Sequence, residues 1–148
     1  MTDLFFIPYF ITSRYRVETM VELSNVKRGE KVADLGSGDG RISIAFGEKD
    51  AVVHGFELNS ELVLLSEKHI KKANLTGTVT IHQKDFWLEN LSSFDIICMY
   101  PMPDIMPKLE EKLEKELKKG ARVLLNYYPF PTWKEQTEKD NIYLYQKS

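Results

Sequence analysis

Cysteine is almost missing from this chain of 148 residues: Cys98 stands alone, so no internal disulfide and no multi-cysteine metal site can form. Its position inside an apolar run makes it a packed core thiol rather than a nucleophile, and the cysteine usage fits a reducing compartment. The three histidines, His54, His69 and His82, lack ligand spacing with cysteine or carboxylate, so no metal is expected. No apolar run reaches the length of a bilayer span. Leu4 to Ile11 is apolar apart from Pro8, but it has about half the required length and no basic stretch before it. Positive charge is not in excess either: a formal net charge of −2 and a pI near 5.9 disfavour a globally basic nucleic-acid binder. Linkers, internal repeats and low-complexity segments are all lacking. The chain is therefore read as one domain, residues 1–148, in which residues 1–12 form an N-terminal lid or strand packed on the rest.

What is present is an alternation of periodic segments. Val17, Met20 and Val21 recur at helical spacing between Ser13 and Leu23, with Thr12 or Ser13 as N-cap and Asn25 near the stop. Lys31 to Leu35 reads as a strand. A glycine loop follows, then a helix from about Gly40 that buries Ile42, Ile44, Ala45 and Phe46. Val52 to Glu57 is a second strand, and Ser60 to Ala73 a helix with Leu62, Leu65, His69 and Ile70 near one face. Strands are also predicted over Thr78 to Gln83, Phe94 to Met99 and Ala121 to Tyr128. The continuous apolar run of the second of these suits the centre of a parallel sheet covered on both faces. Between the last two, Asp104 is placed to cap a helix in which Leu109, Leu113 and Leu117 recur every four residues. Asn141 to Gln146 alternates and follows no crossover helix. The predicted fold is therefore α/β and Rossmann-like, a mostly parallel twisted sheet ending in an antiparallel pair, with ligands beyond the carboxyl ends of the strands.

The loop Asp34-Leu35-Gly36-Ser37-Gly38-Asp39-Gly40 carries the chemistry. Glycines between a strand and a helix let backbone approach a ligand closely and adopt positive φ. A dinucleotide-binding turn counted from Gly36 would require glycine at the sixth position, where Arg41 stands. Asp34 lies two residues before the first glycine, placed to hold a cationic amino-acid moiety. S-adenosylmethionine has such a moiety, with an ammonium and a sulfonium, and NAD does not. Glu57 ends the second strand, where a carboxylate can accept from both ribose hydroxyls; Leu58 follows it. Asp85, after the third strand, can accept from the adenine amino group, with Phe86 against the ring. Strand-end acids also cap helices or form turns, and that alternative stays open, most of all for Asp85.

VADLGSGDGRISIAF, FELN and QKDFW resemble motifs I, II and III of the class I methyltransferases. With the block PMPDIMPKLEEKLEKELKKGARVL and then PFPTW, the chain is similar to the family of the ATP synthase c-subunit lysine methyltransferase and its small archaeal protein-lysine methyltransferase relatives. The likeness runs from about Tyr9 to Trp133. It implies S-adenosyl-L-methionine as cofactor, held by Asp34, Gly36, Ser37, Gly38, Glu57, Leu58, Asp85 and Phe86; the aromatic, proline-bearing segment before the first helix is expected to fold over the cofactor's methionine end, with Tyr9 and Thr12 as its contacts. Eukaryotic members carry an N-terminal membrane segment not seen here, so the expectation is a cytoplasmic enzyme acting on exposed lysines of a protein substrate, without metal or membrane span.

Methyl transfer to an amine is an in-line displacement that requires alignment of a nucleophile. At pH 7 only about one free lysine in ~2500 is neutral, and an apolar aromatic channel narrows that gap. Tyr100-Pro101-Met102-Pro103 and Tyr127-Tyr128-Pro129-Phe130-Pro131 are placed to line such a channel, and Tyr100 is the candidate catalytic residue that positions the amine. Packing at the domain rim is an equal alternative for Tyr127 and Tyr128. Tyrosine and methionine in Tyr100-Pro101-Met102-Pro103 depart from the Asn/Asp-Pro-Pro-aromatic pattern of adenine-N6 enzymes. RNA, DNA or a small molecule remains the alternative substrate, and a non-catalytic nucleotide-binding module the alternative class.

Overall fold

The computed structural model describes residues 12–99 and 103–148. Helix α1, Arg14–Ser24, begins where the Ser13 hydroxyl accepts from the Arg16 N–H and ends at Asn25, whose left-handed backbone stops it. Strand β1, Lys31–Leu35, leads into the glycine loop and α2, Arg41–Gly47. Then come β2, Val52–Phe56; α3, Ser60–Lys72, capped by the Asn59 side chain; and β3, Val79–His82. Strand β4, Ile96–Met99, precedes α4, Met106–Glu116, and β5 spans Arg122–Asn126. The chain closes with β6, Thr137–Lys139, and β7, Ile142–Gln146.

These strands form one seven-stranded sheet in the order β3-β2-β1-β4-β5-β7-β6 among the described residues. β1 to β5 pair in parallel, whereas β7 runs antiparallel to both β5 and β6. The Rossmann-like sheet with an antiparallel end is thus the observed architecture. The order reverses beside β1, leaving a crevice at its carboxyl end next to β4, where the glycine loop lies.

Each face of the sheet carries its own core. Val17, Met20, Ile42, Phe46 and Ile70 of α1, α2 and α3 cover Val32, Val53, Cys98 and Leu124. On the opposite face, Leu109 and Leu113 of α4 join Phe94, Phe130 and Tyr145 over Leu35, Phe56, Met99 and Leu125. The buried Tyr145 hydroxyl accepts from the Phe130 N–H at 2.9 Å, and burial pushes its pKa up to about 12.

Three details differ from the sequence reading. The stripe that α3 buries is Val63, Ser66 and Ile70, while Leu65 faces solvent and Leu62 and His69 are half-buried. Asp104 does not cap α4: a single 3-10 turn, Pro103–Ile105, precedes it, and Ile105 holds the cap position without a side-chain bond. Phe130 belongs to the core, stacked on Trp133 and edge-on to Tyr145, and lines no channel. In the first two cases tertiary packing outweighed local pattern: leucines exceed what one face can hold, and a proline-rich entry starts a helix without a side-chain cap.

Candidate functional site

Residues 36–40 are held from several sides. The N–H groups of Gly36 and Ser37 both donate to the Phe56 carbonyl, at 2.9 and 3.0 Å, which ties the loop to the end of β2. The Gly38 N–H donates to Glu57 Oε1 at 2.8 Å, and Glu57 Oε2 accepts from the Asn59 N–H at 3.0 Å. From α3, the Ser66 hydroxyl donates to the Gly38 carbonyl at 2.8 Å, and a His69 ring nitrogen lies 3.0 Å from the Asp39 carbonyl. Gly40, at φ +88°, is where the chain needs glycine most: a Cβ there would strain the backbone and stand 3.2 Å from the Ser66 side chain.

Asp34 lies on β1 under this loop, with 1% of its surface exposed. Its Oδ2 accepts from the Ser43 hydroxyl of α2 at 2.7 Å, whereas its buried Oδ1 has no partner. Burial pushes the carboxyl up to about 7, and the negative charges of Glu57 and Asp39 add to that, against the pull of the Ser43 hydroxyl and backbone N–H. A buried, half-satisfied carboxylate is costly unless a donor or cation completes it. The Ser37 hydroxyl is likewise buried without a partner.

Thr12 is buried at the entry to α1, where its carbonyl accepts from Arg41 at 3.1 Å, and Arg41 also forks onto the Asp39 carboxylate. Leu58 is exposed beside Glu57. Asp85 Oδ1 accepts from the Trp87 N–H at 3.0 Å, which caps a short 3-10 turn, Phe86–Leu88. The Phe86 ring is buried in the core of the opposite face. Tyr9 and Tyr100 lie outside the described residues. The three histidines are otherwise occupied, for His54 Nδ1 and His82 Nε2 lie 2.9 Å apart. Sequence reasoning missed Ser43, Ser66 and His69 as supports of the loop. Ser66 had a readable signal, since it is the polar member of an apolar stripe.

Glycine loop, buried strand-end acid and strand order together define the class I S-adenosylmethionine-dependent methyltransferase fold. Residues 34–137 match the family described as ANTKMT methyltransferase domain, and the chain belongs to that methyltransferase family. It is 36% identical over 127 residues to the ATP synthase c-subunit lysine N-methyltransferase of Mus musculus, covering 86% of this chain and 51% of the relative. The chain spans about half the length of the mammalian relatives it matches. It is 34% identical over 131 residues to the Protein-lysine N-methyltransferase of Saccharolobus islandicus, covering 86% of this chain and 80% of the relative. Among solved structures, an RNA methyltransferase from Salinibacter ruber in complex with S-adenosyl-L-homocysteine superposes with a TM-score of 0.87. It is 27% identical and covers 93% of each chain.

Proposed function

We propose that this chain transfers a methyl group from S-adenosylmethionine to lysine side chains of protein substrates. The observation that carries the cofactor reading is the partnerless Oδ1 of Asp34, an acceptor buried under a glycine loop. The residues present fit that group. Asp34 would hold its ammonium; Gly36, Ser37 and Gly38 would admit its backbone-sized portion; Glu57 retains acceptor capacity on both oxygens for ribose hydroxyls beyond the two N–H groups it already takes. Asp85 keeps Oδ2 available for a base amine. Bound there, the cofactor supplies an electrophilic sulfonium methyl. The protein's part is to fix that methyl, admit an uncharged amine along the in-line direction and exclude water.

The family favours lysine as acceptor, and Tyr100 is proposed to position the amine. Exposed Tyr127 and Tyr128 follow β5 at the same end of the sheet, beside the strand exits. A second reading, methylation of RNA, is favoured by one specific observation, the Salinibacter protein that matches over nearly the full chain. The composition speaks against it, since a net charge of −2 offers little to a polyphosphate. The single buried cysteine supports a reducing compartment, and we place the protein in the cytoplasm. Incubation with labelled cofactor and separate pools of protein, RNA and small molecules tests the reading: label as methyl-lysine in protein hydrolysate supports it, and label confined to RNA overturns it.

A further inference from the structure

Besides Asp34 Oδ1 and the Ser37 hydroxyl, a third partnerless polar atom lies at the same carboxyl edge of the sheet, on a residue that none of the site motifs includes. Asn126 ends β5 with 2% of its surface exposed, and its Nδ2 has no hydrogen-bond partner. In the parallel register Asp34 aligns with Cys98 and Cys98 with Leu124, so Asn126, two residues on, projects from the same sheet face as Asp34. It stands at the carboxyl edge, on the side of the switch point away from Glu57.

The other half of this carboxamide is fully engaged. Arg16 of α1 donates to Asn126 Oδ1 from Nε at 3.0 Å and from Nη2 at 2.6 Å, consuming both lone pairs of the oxygen and fixing which atom is the nitrogen. Arg16 also reaches the Asn141 carbonyl and stacks its guanidinium 4.0 Å over the Tyr127 ring. Tyr127 adopts φ +72°, a costly conformation for a tyrosine, immediately after Asn126. No carboxylate forms an ion pair with Arg16 among the described residues. The charged and titratable groups on the surrounding elements have other engagements. Arg14 pairs with Glu18 on α1, Asp140 takes the Tyr15 hydroxyl, Glu138 takes the Asn141 N–H, and Asp39 pairs with Arg41. Asp34 is bonded to Ser43, and the Cys98 thiol is pushed well up by burial. Tyr143 and Lys139 lie on β7 and β6, respectively.

We infer that Asn126 is a specificity-determining residue for the acceptor and Arg16 the residue that positions it. Together they present an edge that only donates hydrogen bonds, backed by an uncompensated cation. Such an edge repels an ammonium, which has donors and no acceptor, and receives an uncharged aliphatic amine through its lone pair. It rejects the exocyclic amine of a nucleobase, whose lone pair is delocalised into the ring. The lysine gives its proton to solvent on entry, then turns about its terminal C–N bond. The nitrogen lone pair forms the new N–C bond, and the electron pair of the C–S bond leaves with sulfur. This inference rests on the lysine reading and deepens it.

The pH dependence of kcat tests it, because kcat at saturation reports the amine in the bound complex while kcat/KM reports the free lysine. The full chain is assayed from pH 6.5 to 9.5 with labelled cofactor and an unstructured lysine-bearing peptide, as wild type, Arg16→Gln, Arg16→Lys and Asn126→Asp. Removing the cation, or replacing the donor edge by a carboxylate, raises the midpoint of kcat by about one pH unit, a tenfold loss at pH 7 that closes at high pH. Arg16→Lys retains the wild-type midpoint, and cofactor affinity by calorimetry stays within about twofold in all variants. Losses equal at every pH overturn the inference and leave Asn126 a structural residue. A wild-type enzyme that labels RNA and no lysine overturns both the inference and the reading beneath it.

Discussion

Asp34 and Ser43 share one hydrogen bond of 2.7 Å between β1 and α2, and it leaves the second oxygen of a buried carboxylate bare at the floor of the glycine loop. Its pKa of about 7 makes this pair a pH-dependent element. A carboxyl whose folded pKa is raised binds its proton more tightly in the native state, so it contributes stability at low pH that is lost as pH rises from about 4 to about 7. Without cofactor, wild type should therefore lose stability relative to Asp34→Asn across that window. Thermal unfolding in parallel pH series measures the difference, and a constant offset between the two proteins would mean that Asp34 titrates normally.

The same carboxylate sets how the cofactor binds. The ammonium needs an ionised Asp34, while a free α-amino group itself loses its proton near 7.7 to 8.0. Affinity should rise as pH approaches 7, peak between about 7 and 8 and fall beyond. Calorimetry at several pH values in buffers of different ionisation enthalpy would show net proton release below the peak. A pH-independent affinity would place the ammonium elsewhere.

Glu57 carries a double duty that the sequence did not disclose, since it holds the Gly38 N–H as well as facing the proposed ribose position. Glu57→Ala should weaken S-adenosylhomocysteine at least tenfold, as charge-assisted bonds are worth roughly 1.5 to 3 kcal/mol each. Glu57→Gln keeps an acceptor for Gly38, so it should cost less in stability than Glu57→Ala while still losing cofactor affinity. A loss below twofold in both would remove the ribose from this residue.

Gly55 supports the loop from β2. A Cβ there would meet Ile81 Cδ1 at 2.6 Å and Ser37 Cβ at 2.9 Å, so Gly55→Ala pushes on a side chain of the cofactor loop itself. Overpacking of this kind costs about 1 to 3 kcal/mol. We expect a lower Tm together with weaker cofactor binding. Intact binding would show that Ser37 can shift without disturbing the cradle.

How much of this was legible beforehand follows from which forces are local. Asp34, the three glycines and Glu57 sit at strand ends that hydrophobic runs mark clearly, and parallel pairing brings those ends together at one edge. The antiparallel finish could be read from a tail too short for another crossover. The helix face that α3 buries was misread because three leucines compete for one stripe and the winner is set by contact with the loop, through Ser66. Asn126 was invisible for a related reason. An asparagine at a strand end usually makes a turn, and only Arg16, 110 residues away in sequence, shows that its oxygen is spent and its nitrogen left bare.

That the acceptor is a lysine amine is tested most directly by hydrolysis of the products, the protein with acid and the RNA with nuclease and phosphatase. Wild-type enzyme is incubated with labelled S-adenosylmethionine and a mixture of unfolded protein and RNA, and the label is separated as methylated amino acids and methylated nucleosides. Methyl-lysine is the expected product, with initial rates rising steeply between about pH 7 and 9 under subsaturating protein. Tyr100→Ala should lower turnover far more than cofactor affinity. Label recovered in nucleosides, with none in lysine, would contradict a lysine acceptor.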